Sequence, residues 1–307
     1  MQRERWVDVL KFLGIFAIYL GHFAKMGGLF YEYVFAFHVP LFFFVGGFFY
    51  RPARNIKENI KQIVNKFCHI MIPYYIFGLI KVCVESIYDN NGARVVLLQL
   101  YEILLGRRNC VGSLWFLTCF FSTIVLITIL YNVVRNKYIV LIITFILHCY
   151  YPRILLLIGI EPLSLMWNLD SALDYMIYFA LGWCIYPAIT KLKWNNIKDK
   201  IIFATCLVIS GLVAAIVYFR GEYCIQNLIT QYDPFRIINT LQTMILILFN
   251  CICAKMMVGV PYIGEIGKYT LILCGMEQTS KTILGALLQI VGVQVAFTNP
   301  LTTIILL

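Results

Sequence analysis

Apolar residues fill the chain in long blocks separated by short polar interruptions, and the length of those blocks sets the expected architecture. A hydrocarbon core of about 30 Å calls for about 20 mainly apolar residues per helix. Such blocks recur near 7–24, 34–50, 70–88, 113–133, 138–151, 170–190, 201–219, 235–254, 269–288 and 298–307. The pattern predicts an all-α, polytopic transmembrane helix bundle of about ten spans. The remaining loops are too short for a second domain, so residues 1–307 are expected to form a single transmembrane domain. The fifth block is short, and the tenth, from Thr298 to Leu307, is too short to cross as a helix. The chain is therefore expected either to re-enter the membrane there or to continue. Between the second and third blocks, RPARNIKENIKQIVNKFCH at 51–69 sets basic residues among Ile56, Ile60, Ile63, Val64 and Phe67 at helical spacing. This predicts an interfacial amphipathic helix lying on anionic headgroups.

Composition agrees with the blocks: 61% of residues are hydrophobic and only 13% charged, against about half and about a quarter in soluble domains. The net charge of +10 raises nucleic acid as a partner, but the distribution of the basic residues argues against it. They follow the second span (Arg51, Arg54, Lys57, Lys61, Lys66), the fourth (Arg135, Lys137), the sixth (Lys191, Lys193, Lys198, Lys200) and the eighth (Lys255, Lys268). With a cytoplasmic N-terminus, all four loops fall on the cytoplasmic side, as the positive-inside rule requires. Arg94, Arg107 and Arg108 fall on the outer side and break the pattern. The charge therefore reads as topology in a cell membrane, with lipid and not nucleic acid as the partner. Arg3 and Arg5 before an apolar run resemble a signal peptide. Asp8 and Lys11 inside that run, with no small-x-small site after it, favour an uncleaved first span. The 11 cysteines lie mostly within apolar blocks, with Cys251 and Cys253 an isolated C-x-C, so free thiols and no metal site are expected. No Walker or dinucleotide glycine pattern occurs.

Polar residues inside the blocks carry the candidate chemistry. Lys11 and His22 are eleven residues apart, which returns them to within roughly 20° of one helical stripe, about 16 Å apart along the axis. Asp8 shares that stripe. Two helices joined by the loop from Met26 to Tyr33 would run antiparallel, so His22 and His38 lie at similar depth. Ionisable groups in lipid-compatible helices usually face a bundle interior or a water-filled cavity, and the line of Asp, Lys and His is a functional-site candidate on that ground. Glu277 with Lys281, and Lys81 with Glu85, are spaced i,i+4 as neutralising pairs. Gly46 and Gly47 suit close helix packing.

At HVPLFFFVGGFF the chain reaches residues characteristic of a known family. Taken with Lys11-x10-His22, SLWFL at 113–117 and GEIGKYTLILCGMEQ at 264–278, it resembles the membrane-bound acyltransferase-3 family, on its polysaccharide or fucose O-acetyltransferase side. The resemblance runs in order over nearly the whole chain. It implies a ten-helix enzyme that takes an acyl group, usually acetyl, from acetyl-CoA at the cytoplasmic face and passes it to a saccharide hydroxyl of the cell envelope. The family's basic residue falls on Lys11, its first histidine on His22, its second-helix histidine on His38, and its L-W-F aromatics on Trp115 and Phe116. Two positions depart: Ser113 and Glu277 stand where members often carry histidine, which leaves the polar role at 277 to a carboxylate.

On this reading His22 is the general base, or a transient acyl carrier. His38 orients it, shares its proton or stabilises the developing oxyanion, or else caps a kink at Pro40. Lys11 binds the CoA end of the donor, or pairs with Asp8. The basic residues of 51–69 have a second reading as contacts for a CoA phosphate. Trp115 stacks on a sugar or joins an interfacial aromatic belt, and Glu277 is a further substrate-binding candidate. Asp170 and Asp174 are either solvated at the outer face or bind acceptor hydroxyls, and His69 and His148 are read as hydrogen-bonded structural residues. The rival classes are a transporter or flippase for an amphipathic glycolipid, whose substrate path also carries buried charge, and a non-catalytic family member.

Overall fold

The computed structural model describes residues 4–21, 33–53, 55–108, 111–159, 165–191 and 236–290, with scattered helical residues between 201 and 212. Every regular element among the described residues is helical. In chain order the longer helices are α1 (Arg5–Gly21), α2 (His38–Phe48), α3 (Ile56–Tyr88), α4 (Ala93–Leu105), α5 (Trp115–Val134), α6 (Lys137–Leu157), α7 (Leu169–Lys191), α8 (Arg236–Met256) and α9 (Thr270–Ile290). Among the described residues, five stretches are long and apolar enough to cross a membrane: Ile56–Tyr88, Gly112–Val134, Lys137–Leu157, Met166–Lys191 and Asn239–Gly259. They coincide with the third, fourth, fifth, sixth and eighth predicted spans. Most of the seventh span and all of the tenth lie outside the described residues.

The helices show the faces a bilayer demands. α6 exposes Ile139, Ile142 and Ile146 along one stripe and buries Val140, Thr144, His148, Tyr151 and Leu155 along another. Its apolar exposed stripe suits lipid, and its polar residues point inward.

Three local expectations change. Residues 56–69 do not form a separate interfacial helix but are the first half of α3, a continuous helix of 33 residues. The Asn55 side chain accepts from the Glu58 N–H at 2.8 Å and donates back to the Glu58 carboxylate at 3.1 Å, which caps this start. No glycine or proline interrupts the helix before Pro73. Next, α4 occupies 13 residues between the third and fourth predicted spans, where no helix was expected. Last, α6 continues through Pro152 to Leu157, six residues past the end of the fifth predicted span at 151.

The chain divides into two compact units, residues 1–49, 181–270 and 297–307 in the first and 50–180 with 271–296 in the second. In the first, backbone meets backbone at two glycines. A Cβ at Gly182 would fall on the carbonyl of Phe44, and one at Gly267 on the carbonyl of Asp8 and 3.2 Å from the Phe12 nitrogen. Only glycine admits such approach. Trp6, Phe48 and Tyr186 stack in series, with ring centroids 5.7 and 4.7 Å apart. The Tyr186 hydroxyl donates to Glu4 at 3.0 Å. Lys255 donates to the Ile189 carbonyl near the end of α7, where the helix dipole favours a cation.

In the second unit α3 and α4 form an antiparallel hairpin, fixed where the Tyr74 hydroxyl donates to the Ile103 carbonyl at 2.7 Å. Gly106, at φ +63°, closes α4. Its carbonyl then accepts from the Asn168 amide at 2.6 Å, which also donates to the Thr118 hydroxyl at 2.7 Å. Trp167 and Asn168 both have φ of 53°, a conformation that non-glycine residues keep only when held. Ser122 holds it by donating to the Trp167 carbonyl at 2.8 Å. This clasp sets where α7 begins, and with it the depth of Asp170, Asp174 and Tyr175.

Candidate functional site

Pro40 shapes the first group. It has no N–H, so the carbonyl of Ala36, four residues earlier, loses its helical donor, and the chain turns at residues 36–37 before α2 begins. The Thr243 hydroxyl of α8 supplies the missing donor at 2.8 Å. His38 is therefore not needed to cap that carbonyl, and its ring Nδ1 instead donates to the Val34 carbonyl at 2.7 Å. A carbonyl only accepts, so Nδ1 carries a proton, and in the neutral form of the ring Nε2 is the acceptor. The ring is buried and stands edge-on to Phe35, with centroids 4.8 Å apart.

On α1, Asp8 is buried and its carboxylate lies 3.7 Å from Lys11 Nζ, an i,i+3 pair. The structural pairing considered for Lys11 is thus formed, with the lysine side chain 30% exposed. The contact of Gly267 with the Asp8 backbone fixes this part of α1. His22 lies outside the described residues, and so does its geometry with Lys11 and His38.

Trp115 and Glu277 belong to the second unit. Trp115 opens α5, and the guanidinium of Arg108 lies over its ring, 3.8 Å from the centroid. Tyr175 sits beside the indole at 5.8 Å and takes a hydrogen bond from Arg108. Glu277 is buried and ion-paired with Lys281 one turn on, and Lys81 pairs with Glu85 at 3.0 Å. Both predicted i,i+4 pairs are present.

The solvated reading of the two aspartates does not hold. Asp170 is fully buried, its carboxylate accepting from the Ser171 N–H at 2.6 Å and the Leu165 N–H at 3.4 Å. Asp174 pairs with His148, whose Nδ1 lies 2.8 Å from the carboxylate and 2.9 Å from the Asp174 carbonyl. His148 is therefore one half of an ionisable dyad, itself buried and paired with a half-buried carboxylate. The signal was in the sequence: His148 and Asp174 are each thirteen residues from Glu161, the middle of the loop between their spans. Equal distance from a loop centre puts two antiparallel residues at equal depth, the same expectation that the sequence raises for His22 and His38. His69 keeps its structural reading, donating from Nδ1 to the Asn65 carbonyl at 2.7 Å.

Among the described residues no three His, Cys, Asp or Glu side chains gather as metal ligands, and the described cysteines are unbridged. Apolar spans with buried ionisable groups facing inward define an integral membrane protein with a built polar interior. Residues 4–275 match the family model described as an acyltransferase domain, Acyl_transf_3. The chain belongs to that acyltransferase-3 family and is a multi-pass membrane acyltransferase. Comparison with curated proteins returns no match, and neither does comparison with solved structures.

Proposed function

We propose that the protein transfers an acetyl group from acetyl-CoA, bound from the cytoplasmic side, to a hydroxyl of a cell-surface or lipid-linked saccharide. The N-terminus is cytoplasmic on this reading, and His22 is the general base. An alcohol is a poor nucleophile at neutral pH, and a histidine suits removal of its proton. As His22 takes that proton, the alcohol oxygen bonds to the thioester carbon and the carbonyl becomes an oxyanion. Collapse of the tetrahedral species breaks the C–S bond, and the proton on His22 leaves with the CoA sulfur. The acetyl ester and CoA thiol balance the reactants.

The observation that carries the reading into this chain is the fixed Nδ1–H of His38. In the neutral ring Nε2 is then an acceptor, which suits His38 to orient the N–H of a second imidazole or share its proton. In that tautomer it does not donate to an oxyanion. Lys11, paired with Asp8 yet 30% exposed at its side chain, retains surface for the pantetheine or phosphate end of the donor.

The test is turnover of radiolabelled acetyl-CoA by the purified protein in lipid vesicles, with and without extracted cell-surface glycans. The expected result is label in glycan for the wild type, none for His22→Ala, and a loss of about 100-fold for His38→Ala, a range typical of general-base assistance. Full transfer by His22→Ala would refute the assignment of the base. A wild type that neither binds acetyl-CoA nor transfers label from it would refute acetyl transfer itself.

A further inference from the structure

Arg108 is a cation that topology does not explain. It lies at the Trp115 end of α5, opposite the end that carries Arg135 and Lys137, and so opposite the face where the basic loops collect. Its neighbour Arg107 is neutralised by Glu102. For Arg108, by contrast, no ion pair with a carboxylate occurs among the described residues. It is held by contacts that position a guanidinium without neutralising it: the Trp115 ring at 3.8 Å and the Tyr175 hydroxyl. The two described carboxylates that act on the same buried groups as Arg108 have partners of their own, Asp174 in His148 and Asp170 in backbone N–H groups at the start of α7. The face of Trp115 read from the sequence as a sugar platform is taken by Arg108, so the indole here orients a cation. A guanidinium braced against an aromatic face, with no carboxylate ion-paired to it among the described residues, is built to receive a planar or tetrahedral oxyanion through paired N–H donors.

We infer that Arg108, seated on Trp115 and Tyr175, is a recognition site for an oxyanion, carboxylate or phosphate, carried by the acceptor saccharide. The identity of the ligand as a saccharide rests on the acyl-transfer reading above; the oxyanion specificity rests on this geometry. Acidic or phosphorylated sugars are the substrate class it selects, and neutral sugars gain nothing from it.

The test is calorimetric titration of the protein in phosphatidylcholine nanodiscs with glucuronic acid, glucose 1-phosphate and glucose. The expected result is that one or both anionic sugars bind at least about tenfold more tightly than glucose, and that Arg108→Gln removes this preference while leaving glucose unchanged. Arg108→Lys keeps the charge but loses the fork, so it retains only part of the preference. Unchanged glucose binding, with an unchanged gel-filtration profile, separates lost recognition from misfolding. Equal affinity for all three sugars, or an anion preference that survives Arg108→Gln, would overturn the inference. Loss of anionic-sugar binding when phosphatidylglycerol is added to the discs would assign the site to a lipid headgroup and overturn the saccharide assignment. Failures separate cleanly. Acetyl transfer in vesicles without an anion preference sinks the Arg108 site alone. An Arg108-dependent preference in a protein that never turns over acetyl-CoA sinks the transfer reading alone.

Discussion

The hydrogen bond from Thr243 to Ala36 makes a prediction that contact geometry alone would not. The Ala36 carbonyl needs an outside donor only because residue 40 is proline. Thr243→Val removes the donor with little change of shape and leaves a buried carbonyl without a partner. Such a loss costs about 1–3 kcal/mol in soluble proteins, while hydrogen bonds between membrane helices average about 0.6 and reach about 1.7. We expect about 1–1.5 kcal/mol. In a Pro40→Ala background the alanine N–H supplies the i,i−4 donor, so Thr243→Val costs close to nothing. The four proteins form a double-mutant cycle with a coupling of about 1 kcal/mol, read by reversible unfolding in mixed micelles and followed by circular dichroism. Because His38 hangs from the same turn through Val34, acyl transfer falls in Thr243→Val and recovers in the double variant. An equal cost of Thr243→Val in both backgrounds would refute the reasoning.

Gly267→Ala places a methyl group on the Asp8 carbonyl and should cost about 1–3 kcal/mol as overpacking. Gly259→Ala, with nothing within 4 Å of the added carbon, should be neutral in the same thermal-unfolding assay. His148→Ala removes the hydrogen-bonding partner of the Asp174 carboxylate and should destabilise by about 1–3 kcal/mol, whereas Asp174→Asn retains an acceptor and costs less; unfolding in nanodiscs ranks them. Asn55→Ala removes the cap of α3 and should cost about 1 kcal/mol, seen as faster amide exchange at Glu58 and Asn59, with Asn55→Asp close to wild type.

Hydropathy alone located most of the described long helices to within a few residues, because a bilayer imposes one length on every crossing. The predicted 113–133 and 170–190 correspond to Trp115–Val134 and Leu169–Lys191. The same window cannot see α4, whose 13 residues are too few to register as a span. It also divided α3 at the change from amphipathic to apolar composition, although helix propensity continues across that point. Of the candidate residues, Asp8 with Lys11 and Glu277 with Lys281 were legible because their partners lie one helical turn away. The match of Thr243 to Ala36 was not, since 207 residues separate them and threonines are common in apolar helices. Arg108 was visible only as an exception to the charge rule, and its seat on Trp115 depends on a fold that brings the end of α4 to the start of α5. The His148–Asp174 dyad is legible in the sequence, since both residues are thirteen from Glu161 and so fall at equal depth on antiparallel spans.

The α3–α4 hairpin also offers a place to write on the protein. As an ideal helix α3 is about 50 Å long, against about 30 Å of hydrocarbon, so its amphipathic first half has room outside the lipid while its apolar second half, 70–88, spans it and ends at the tip. The hairpin is fixed at Tyr74 and Ile103, about a dozen residues down each helix from a tip of exposed residues, Asp89, Asn90 and Gly92. Lengthening such a tip adds little loop-closure entropy. An epitope inserted between Asn90 and Asn91 would therefore leave the packed helices intact and act as a flag. Whether an antibody reaches it on intact cells or only after permeabilisation would report the sidedness of the whole chain from a single label.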